Sequence, residues 1–184
     1  KDLSAGIEKI RKRLKGASLN ALVNNAAISP KGEAGKRLGS IETETSMWDH
    51  VFQVNFFAPI MLARGLIKEL EMGRGSIVNI TSIAGSRVHP FAGSSYATSK
   101  AALSALTREM AADFGPYGIR VNGISPGEIE TSILSPGTEE LIKHIPLRRL
   151  GEPDEVAEII YFLCSEKASY ISGAEIHVNG GQHV

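Results

Sequence analysis

The chain alternates between two hydrophobic patterns, one typical of helices and the other of buried strands. Near its start, Ile10 and Leu14 follow Ile7 at spacings of three and seven residues. That spacing predicts an amphipathic helix that ends near Gly16. The short apolar run Leu19–Val23 comes next and predicts a buried parallel strand.

A long helix is predicted from Ser46 to about Glu71, because Ser46-x-x-Asp49 has the form of a capping box. Pro59 lies inside this helix and lacks the N–H that would bond to the carbonyl of Asn55. We therefore expect a kink at this point and a free Asn55 carbonyl that can hold a water molecule.

The remainder of the chain continues to alternate between strand and helix patterns. The predicted elements are a strand at 76–81 that ends at Ser82, a helix from about Tyr96, a strand at 119–125, a helix opening at Pro153 and a strand at 174–178. The apolar stripe of the second helix, Leu103, Leu106, Met110 and Phe114, indicates core or a subunit interface. This order predicts an α/β fold with a parallel sheet.

Composition narrows the possible functions. The 184 residues suit one domain, and 20 basic residues balance 20 acidic ones, so no net charge attracts nucleic acid or a membrane surface. No apolar run reaches the roughly 20 residues of a membrane span. The single Cys164 suits a reducing cytoplasm, and the scattered histidines predict no metal site.

The candidate chemistry centres on Tyr96 and Lys100, which share one helix face, and on Ser82 at a strand end. An ammonium beside a phenol favours the tyrosinate, so we expect Lys100 to lower the pKa of Tyr96 from about 10. Ser82 could hold a carbonyl or alcohol oxygen while Tyr96 exchanges a proton with it. A Tyr-x-x-x-Lys spacing by itself is common, so the catalytic interpretation depends on the surrounding motifs.

In order and spacing, several motifs closely resemble the short-chain dehydrogenase/reductase family. They are Asn24-Asn25-Ala26-Ala27, Val54-Asn55, Ser82, the segment 95–102 with Tyr96 and Lys100, the segment 120–127 and Val178-Asn179-Gly180-Gly181. The resemblance covers about Leu19 to Gly181. It implies a Rossmann-type doubly wound parallel sheet, with 1–184 forming the C-terminal three-quarters of one domain.

The resemblance also implies roles for individual residues. Tyr96 would be the acid/base and Ser82 the oxygen anchor, with Asn55 in a water relay and Lys100 binding the nicotinamide ribose. The cofactor-binding set it implies is Asn24, Ala26, Tyr96, Lys100, Pro126, Gly127, Ile129 and Thr131. Ala27, where the family more often has Gly, is a departure, and the interval from Ser82 to Tyr96 is one residue longer than usual.

The family's Gly-rich phosphate-binding turn is absent from the sequence, whose first Met is Met47. We therefore expect an amino-terminal segment to be missing. Without it, the strand at 19–23 would be an unprotected sheet edge prone to aggregation or pairing. Asp2 lies too close to Asn24 to be assigned the adenine-side role, so the cofactor could be NAD or NADP.

The leading function is an oxidoreductase that interconverts a ketone and a secondary alcohol. One alternative is an inactive fragment or a binding or regulatory chain, and another is a nucleotide-sugar epimerase or dehydratase. A short lid at 132–147, with the apolar residues Ile133, Leu134, Leu141 and Ile145, suggests a small or partly apolar carbonyl substrate. The family further implies a dimer or homotetramer formed through the helices at 46–71 and 96–114.

Overall fold

Four parallel strands form one sheet in the computed structural model, which describes residues 3–131, 134 and 137–184. The strands are β1 (Ala21–Asn24), β2 (Ser76–Ile80), β3 (Arg120–Pro126) and β4 (Glu175–Val178), and they lie side by side in chain order. The register pairs Leu22 with Ile77 and Ile77 with Val121. All four carboxyl ends therefore meet at one edge, and the predicted α/β parallel sheet is confirmed.

Alternating side chains of the central strands build a core on each face of the sheet. Ile77 and Val121 point to one face, where they pack with Leu66, Leu70 and Met110. Val78, Ile80 and Ile124 point to the other face and pack with Leu163 and Ala168. A strand buried on both faces is mostly apolar, and the polar Asn79 and Asn122 within these strands are buried and hydrogen-bonded.

Helices cover both faces. The elements α1 (Leu3–Leu14), α3 (Ala58–Gly65), α4 (Ile67–Met72) and α5 (Ser94–Phe114) contribute side chains to the first core or pack against it. The helix α6 (Pro153–Cys164) covers the second core. Every helix predicted from the hydrophobic pattern is present, with boundaries shifted by a few residues. No described helix is long and apolar enough to cross a membrane.

The predicted long helix is present as four successive pieces. It begins with α2 (Thr45–Phe52), widens into a π-helical turn at Gln53–Phe57 and continues as α3 and α4, which meet at Leu66. The wide turn contains Asn55 and ends two residues before Pro59, so the predicted irregularity is present there.

The predicted capping box at Ser46 and Asp49 is wrong. Glu44 is the cap residue of α2, and its backbone carbonyl accepts from Met47 and Trp48 while no side chain caps the helix. The capping box in the described chain belongs to α6, where Glu152 and Glu155 bond to each other's backbone N–H groups in the reciprocal pattern. Glutamate can reach those donors as serine does, and Pro153 supplies the preset first helical residue.

The strand β1 lies at one edge of the four-stranded sheet, and Val23 is 38% exposed there. This agrees with the edge position expected for the sequence on its own.

The predicted lid residue Ile133 and Asp2 lie outside the described residues. The segment Thr138–His144 forms a short 3-10 helix, and Ile145 directly after it is buried.

Candidate active site

A cleft of about 510 Å³ opens at the carboxyl ends of the strands. This is where open α/β sheets bind ligands, because the loops that leave the strands diverge there. The cleft is lined by the turn after β1, the segment after β2, the first turns of α5, the segment after β3 and one side of α6. Ser82, Tyr96 and Lys100 all line it, so the tertiary structure joins the three residues that carry the predicted chemistry.

The Ser82 side chain lies close enough to Tyr96 to lower the pKa of the phenol. Ser82 lies two residues beyond the end of β2, and its Oγ accepts from the Ala84 N–H at 3.1 Å, which holds the hydroxyl in position. Tyr96 lies in the first turn of α5. The two oxygens can therefore contact one substrate oxygen from neighbouring positions, as proton transfer to it requires.

The expectation that Lys100 lowers the pKa of Tyr96 is wrong for this structure. Burial raises the pKa of Tyr96, the nearby Ser82 side chain lowers it, and the negative charge of Glu128 raises it. The Lys100 Nζ lies over the aromatic ring, 5.7 Å from its centroid. Desolvation of the phenolate is the largest contribution to the raised pKa.

Lys100 is almost completely buried, with 2% of its surface exposed. Its Nζ donates to the Ile80 carbonyl at the end of β2, at 2.6 Å. Because burial disfavours the charged form, the pKa of Lys100 falls from 10.5 to about 8. The ammonium is thus fixed in place and close to exchanging its proton at mildly alkaline pH.

Asn55 connects the loop after β1 to α5. Its amide nitrogen donates to the Ile28 carbonyl and to the Ser99 Oγ, both at 3.0 Å, and its amide oxygen accepts from the Ile28 N–H at 2.9 Å. The Ser99 Oγ in turn donates to the Tyr96 carbonyl at 2.7 Å. The side chain of Asn55 therefore fixes the first turn of α5, which carries Tyr96. Its predicted role through the backbone carbonyl stays a prediction.

The predicted cofactor residues after β1 take different positions. Asn24 is buried, and its amide donates to the Asn79 side chain at 2.8 Å within the sheet. Ala26 is exposed, whereas its neighbours Asn25 and Ala27 line the cleft. The turn therefore reaches the cleft, and the individual roles of Asn24 and Ala26 stay predictions.

The predicted residues at and after the end of β3 lie together along the cleft: Pro126, Gly127, Ile129 and Thr131. Gly127 packs tightly against the last strand segment, because a Cβ added there would lie 2.7 Å from the Asn179 Cβ. Only glycine permits that approach, which brings the 126–131 segment against the end of β4.

Sequence reasoning missed a polar group at the same cleft, formed by Lys31, His89 and Glu128. The available signal was Glu128, a charged residue two positions after the end of the buried strand β3. Lys31 and His89 lie in loops, and nothing in their local pattern marks them.

The predicted lid reaches the cleft only in part. Leu134 lines the cleft, while Leu141 and Ile145 do not. Four residues of α6 also line it: Pro153, Val156, Ala157 and Ile160.

Comparison with known proteins agrees with this architecture. The family model described as enoyl-(acyl carrier protein) reductase matches residues 1–183. The protein FixR of Bradyrhizobium diazoefficiens is 61% identical over 183 residues, covering 99% of this chain and 66% of FixR. The chain therefore spans about two-thirds of the length of FixR. It is also 40% identical to human dehydrogenase/reductase SDR family member 4, and that match covers 89% of this chain and 59% of the human protein.

Solved structures give the same result. A Brucella ovis oxidoreductase of the short-chain dehydrogenase/reductase family, in complex with a partially ordered NAD, is 61% identical with a TM-score of 0.81, covering 97% of this chain and 74% of that one. A 3-oxoacyl-[acyl-carrier protein] reductase with bound NAD from Brucella melitensis is 35% identical with a TM-score of 0.91, covering 100% and 68%. Together with the parallel sheet and the cleft, these matches identify the chain as a member of the short-chain dehydrogenase/reductase family.

Proposed function

We propose that this protein is a nicotinamide-dependent oxidoreductase that interconverts a ketone and a secondary alcohol. The observation that carries the proposal is that Ser82 and Tyr96 lie together at the wall of the cleft, with the buried Lys100 beside the Tyr96 ring. A proton donor, an oxygen anchor and a cation together match the needs of a reaction that changes the charge on a substrate oxygen.

The residues of the cleft fit the nicotinamide end of NAD or NADP. The backbone segment Pro126–Ile129 and the ammonium of Lys100 flank the same space, which lies where dinucleotides bind in doubly wound sheets. Lys100 would hold the ribose there, and Thr131 would hold the carboxamide. The bound cofactor supplies the hydride acceptor or donor. Both NAD and NADP remain candidates for this role.

In the direction of alcohol oxidation, Tyr96 as a phenolate would take the hydroxyl proton while the carbon gives its hydride to the cofactor. In reduction, the neutral phenol would give that proton back to the carbonyl oxygen. Ser82 would donate a hydrogen bond to the same oxygen and hold it in reach of Tyr96. Because Lys100 has a pKa of about 8, it is mostly protonated at pH 7. Its ammonium would then stabilise the negative charge that develops on the Tyr96 oxygen.

Tyr96→Phe tests this mechanism in the protein at its full natural length. We expect turnover to fall by about 1,000-fold or more, because general acid–base catalysis and a lost oxygen contact each contribute factors of that order. Cofactor affinity measured by nicotinamide fluorescence should change little, since the ring remains. Tyr161→Phe removes a phenol from an exposed position on α6 and serves as the matched control. Activity of Tyr96→Phe within tenfold of the natural protein contradicts the assignment.

Assembly and location complete the proposal. We infer a cytoplasmic homo-oligomer, a dimer or tetramer, that pairs through α2–α4 and α5. Phe57 and Met61 support this, because they are 42% and 41% exposed on the helical layer formed by those elements. Exposed apolar side chains grouped on one surface favour association with a second copy.

A further inference from the structure

The cleft contains two charged side chains that the proposed hydride and proton transfer does not use. The Lys31 ammonium and the Glu128 carboxylate both line it, yet they form no ion pair with each other within 4.0 Å. Charged groups withdrawn from water are normally paired, because an unpaired one loses its hydration without compensation. Each of the two charges therefore needs a separate explanation.

Lys31 is half-buried at the cleft wall, and its Nζ donates one hydrogen bond to the Phe91 carbonyl. An ammonium has three donors. The carbonyl fixes the position of the nitrogen, and no acidic side chain among the described residues pairs with it within 4.0 Å. Burial lowers the pKa of Lys31, and the charge of Glu128 raises it. Lys31 is thus a positioned cation that an anionic ligand group would stabilise.

Glu128 is only 7% exposed and contacts the His89 Nε2 at 2.5 Å. The His89 Nδ1 accepts from the Phe91 and Ala92 backbone N–H groups, each at 3.2 Å, so it carries no proton. The ring proton must then be on Nε2, and His89 is a neutral donor to Glu128. His89 therefore holds the carboxylate in one orientation without neutralising it.

We propose that Lys31 and Glu128 select a small zwitterionic substrate, an amino acid whose side chain carries the hydroxyl or keto group that reacts at Ser82 and Tyr96. Lys31 binds the substrate carboxylate, and Glu128 binds its ammonium. The proposal rests on the proposed function, because it uses the same cleft and the same reacting oxygen. The reaction is the same alcohol oxidation, in which the hydride passes to the cofactor and the hydroxyl proton to Tyr96.

Two features of the cleft favour a zwitterion over a ligand with a single charge. A carboxylate alone would satisfy Lys31 and leave the buried charge of Glu128 uncompensated, while an amine alone would do the reverse. The cleft of about 510 Å³ must also hold a nicotinamide, so the remaining space suits a small molecule. The charged groups then fix its orientation.

The test uses matched sets of alcohols with the full-length protein and the cofactor that it reduces. One set is threonine, 3-hydroxybutyrate without the amino group, and 1-aminopropan-2-ol without the carboxylate. The second set is 2-amino-4-hydroxypentanoate, 4-hydroxypentanoate and 4-aminobutan-2-ol. We expect kcat/KM for the zwitterion of at least one set to exceed that of both partners by about 10- to 100-fold, the range for a hydrogen bond to a charged group.

Two variants assign the contacts. Lys31→Met should lower kcat/KM about 10- to 100-fold for substrates with a carboxylate and leave the amino alcohol unaffected. Glu128→Gln keeps an acceptor for His89, and it should lower kcat/KM for substrates with an amino group relative to those without one. Ratios between substrates cancel any common effect of Glu128 on Tyr96. Lys9→Met and Glu166→Gln remove the same charges from exposed positions and should change none of the ratios.

Binding gives an independent measurement. In the Tyr96→Phe background with cofactor present, calorimetry should show the same dependence on Lys31 and Glu128 for affinity as for kcat/KM. Equal kcat/KM for all members of a set, or equal losses for all members in both variants, overturns the proposal. Turnover of neutral alcohols with none of the zwitterions also overturns it but leaves the proposed function intact. No turnover of any alcohol or ketone with cofactor bound instead refutes the proposed function.

Discussion

Replacing Lys100 by Met should make the stability of this protein less dependent on pH. Lys100 is 2% exposed, and its Nζ contacts the Ile80 carbonyl and the Tyr96 ring, with no acidic partner within 4.0 Å among the described residues. Burial alone lowers its pKa from 10.5 to about 8. At 1.36 kcal/mol for each pH unit, that difference destabilises the folded state by about 3 kcal/mol at neutral pH.

Met has nearly the same length as Lys and carries no charge, so Lys100→Met removes this penalty. It also removes a charge-assisted hydrogen bond to Ile80, worth about 1.5–3 kcal/mol. We therefore expect the free energy of unfolding at pH 7 to stay equal or to rise by up to about 2 kcal/mol, while catalysis is lost. A buried cation that costs stability is typical of a residue kept for function.

The pH dependence gives the sharper test, and its sign follows from linkage. Between pH 8 and 10.5, Lys100 holds its proton in the unfolded chain and has released it in the folded one. The unfolded state then binds more protons, so the natural protein gains stability as the pH rises through this range. The advantage of Lys100→Met should therefore shrink by roughly 1.3 kcal/mol between pH 7 and pH 9.

Urea denaturation of the cofactor-free protein, followed by the fluorescence of the single Trp48, measures this difference. Lys9→Met, which removes a lysine from an exposed position on α1, is the control and should show no such change between pH 7 and 9. The difference in the free energy of unfolding between a variant and the natural protein at the same pH cancels the contributions of all other titrating groups. A difference for Lys100→Met that stays constant from pH 7 to 9.5, or grows with pH, would refute the reasoning.

Two further variants test how the site is held. Gly85→Ala would place a Cβ 2.8 Å from the Ala101 N, so α5 must shift. We expect the free energy of unfolding to fall by about 1–3 kcal/mol and turnover to be reduced. Gly6→Ala is the control and should be tolerated, because a Cβ there meets nothing within 4 Å. Asn55→Ala removes three hydrogen bonds and leaves buried groups unpaired, so a loss of about 2–4 kcal/mol is expected in urea denaturation. Unchanged stability in either variant contradicts the close packing or the hydrogen-bonded connection described above.

Much of the fold was determined by local sequence. Short segments rich in Val and Ile specify β2 and β3, because a strand buried on both faces can contain few charged residues. The spacing of Leu103 and Met110 specifies one face of α5. The Tyr96 and Lys100 spacing likewise predicts a shared helix face without knowledge of the fold. These features depend only on neighbours along the chain.

The sequence left the electrostatics of the site undecided. It predicted that Lys100 would lower the pKa of Tyr96, whereas burial raises it and Lys100 itself has a lowered pKa. Desolvation depends on how many atoms from distant segments surround a group, and no local spacing reports that number. The incorrect capping box at Ser46 has a similar cause, because the path of the preceding loop decides which residue becomes the cap.

Tertiary structure alone brought Lys31, His89 and Glu128 to one cleft. They come from three loops at the carboxyl edge of the sheet, and His89 and Glu128 are separated by 39 residues. Parallel strands direct all such loops to the same edge, so residues far apart in sequence share a site there. The sequence specified where the strands end, and the packing of the sheet decided which loop side chains meet beyond them.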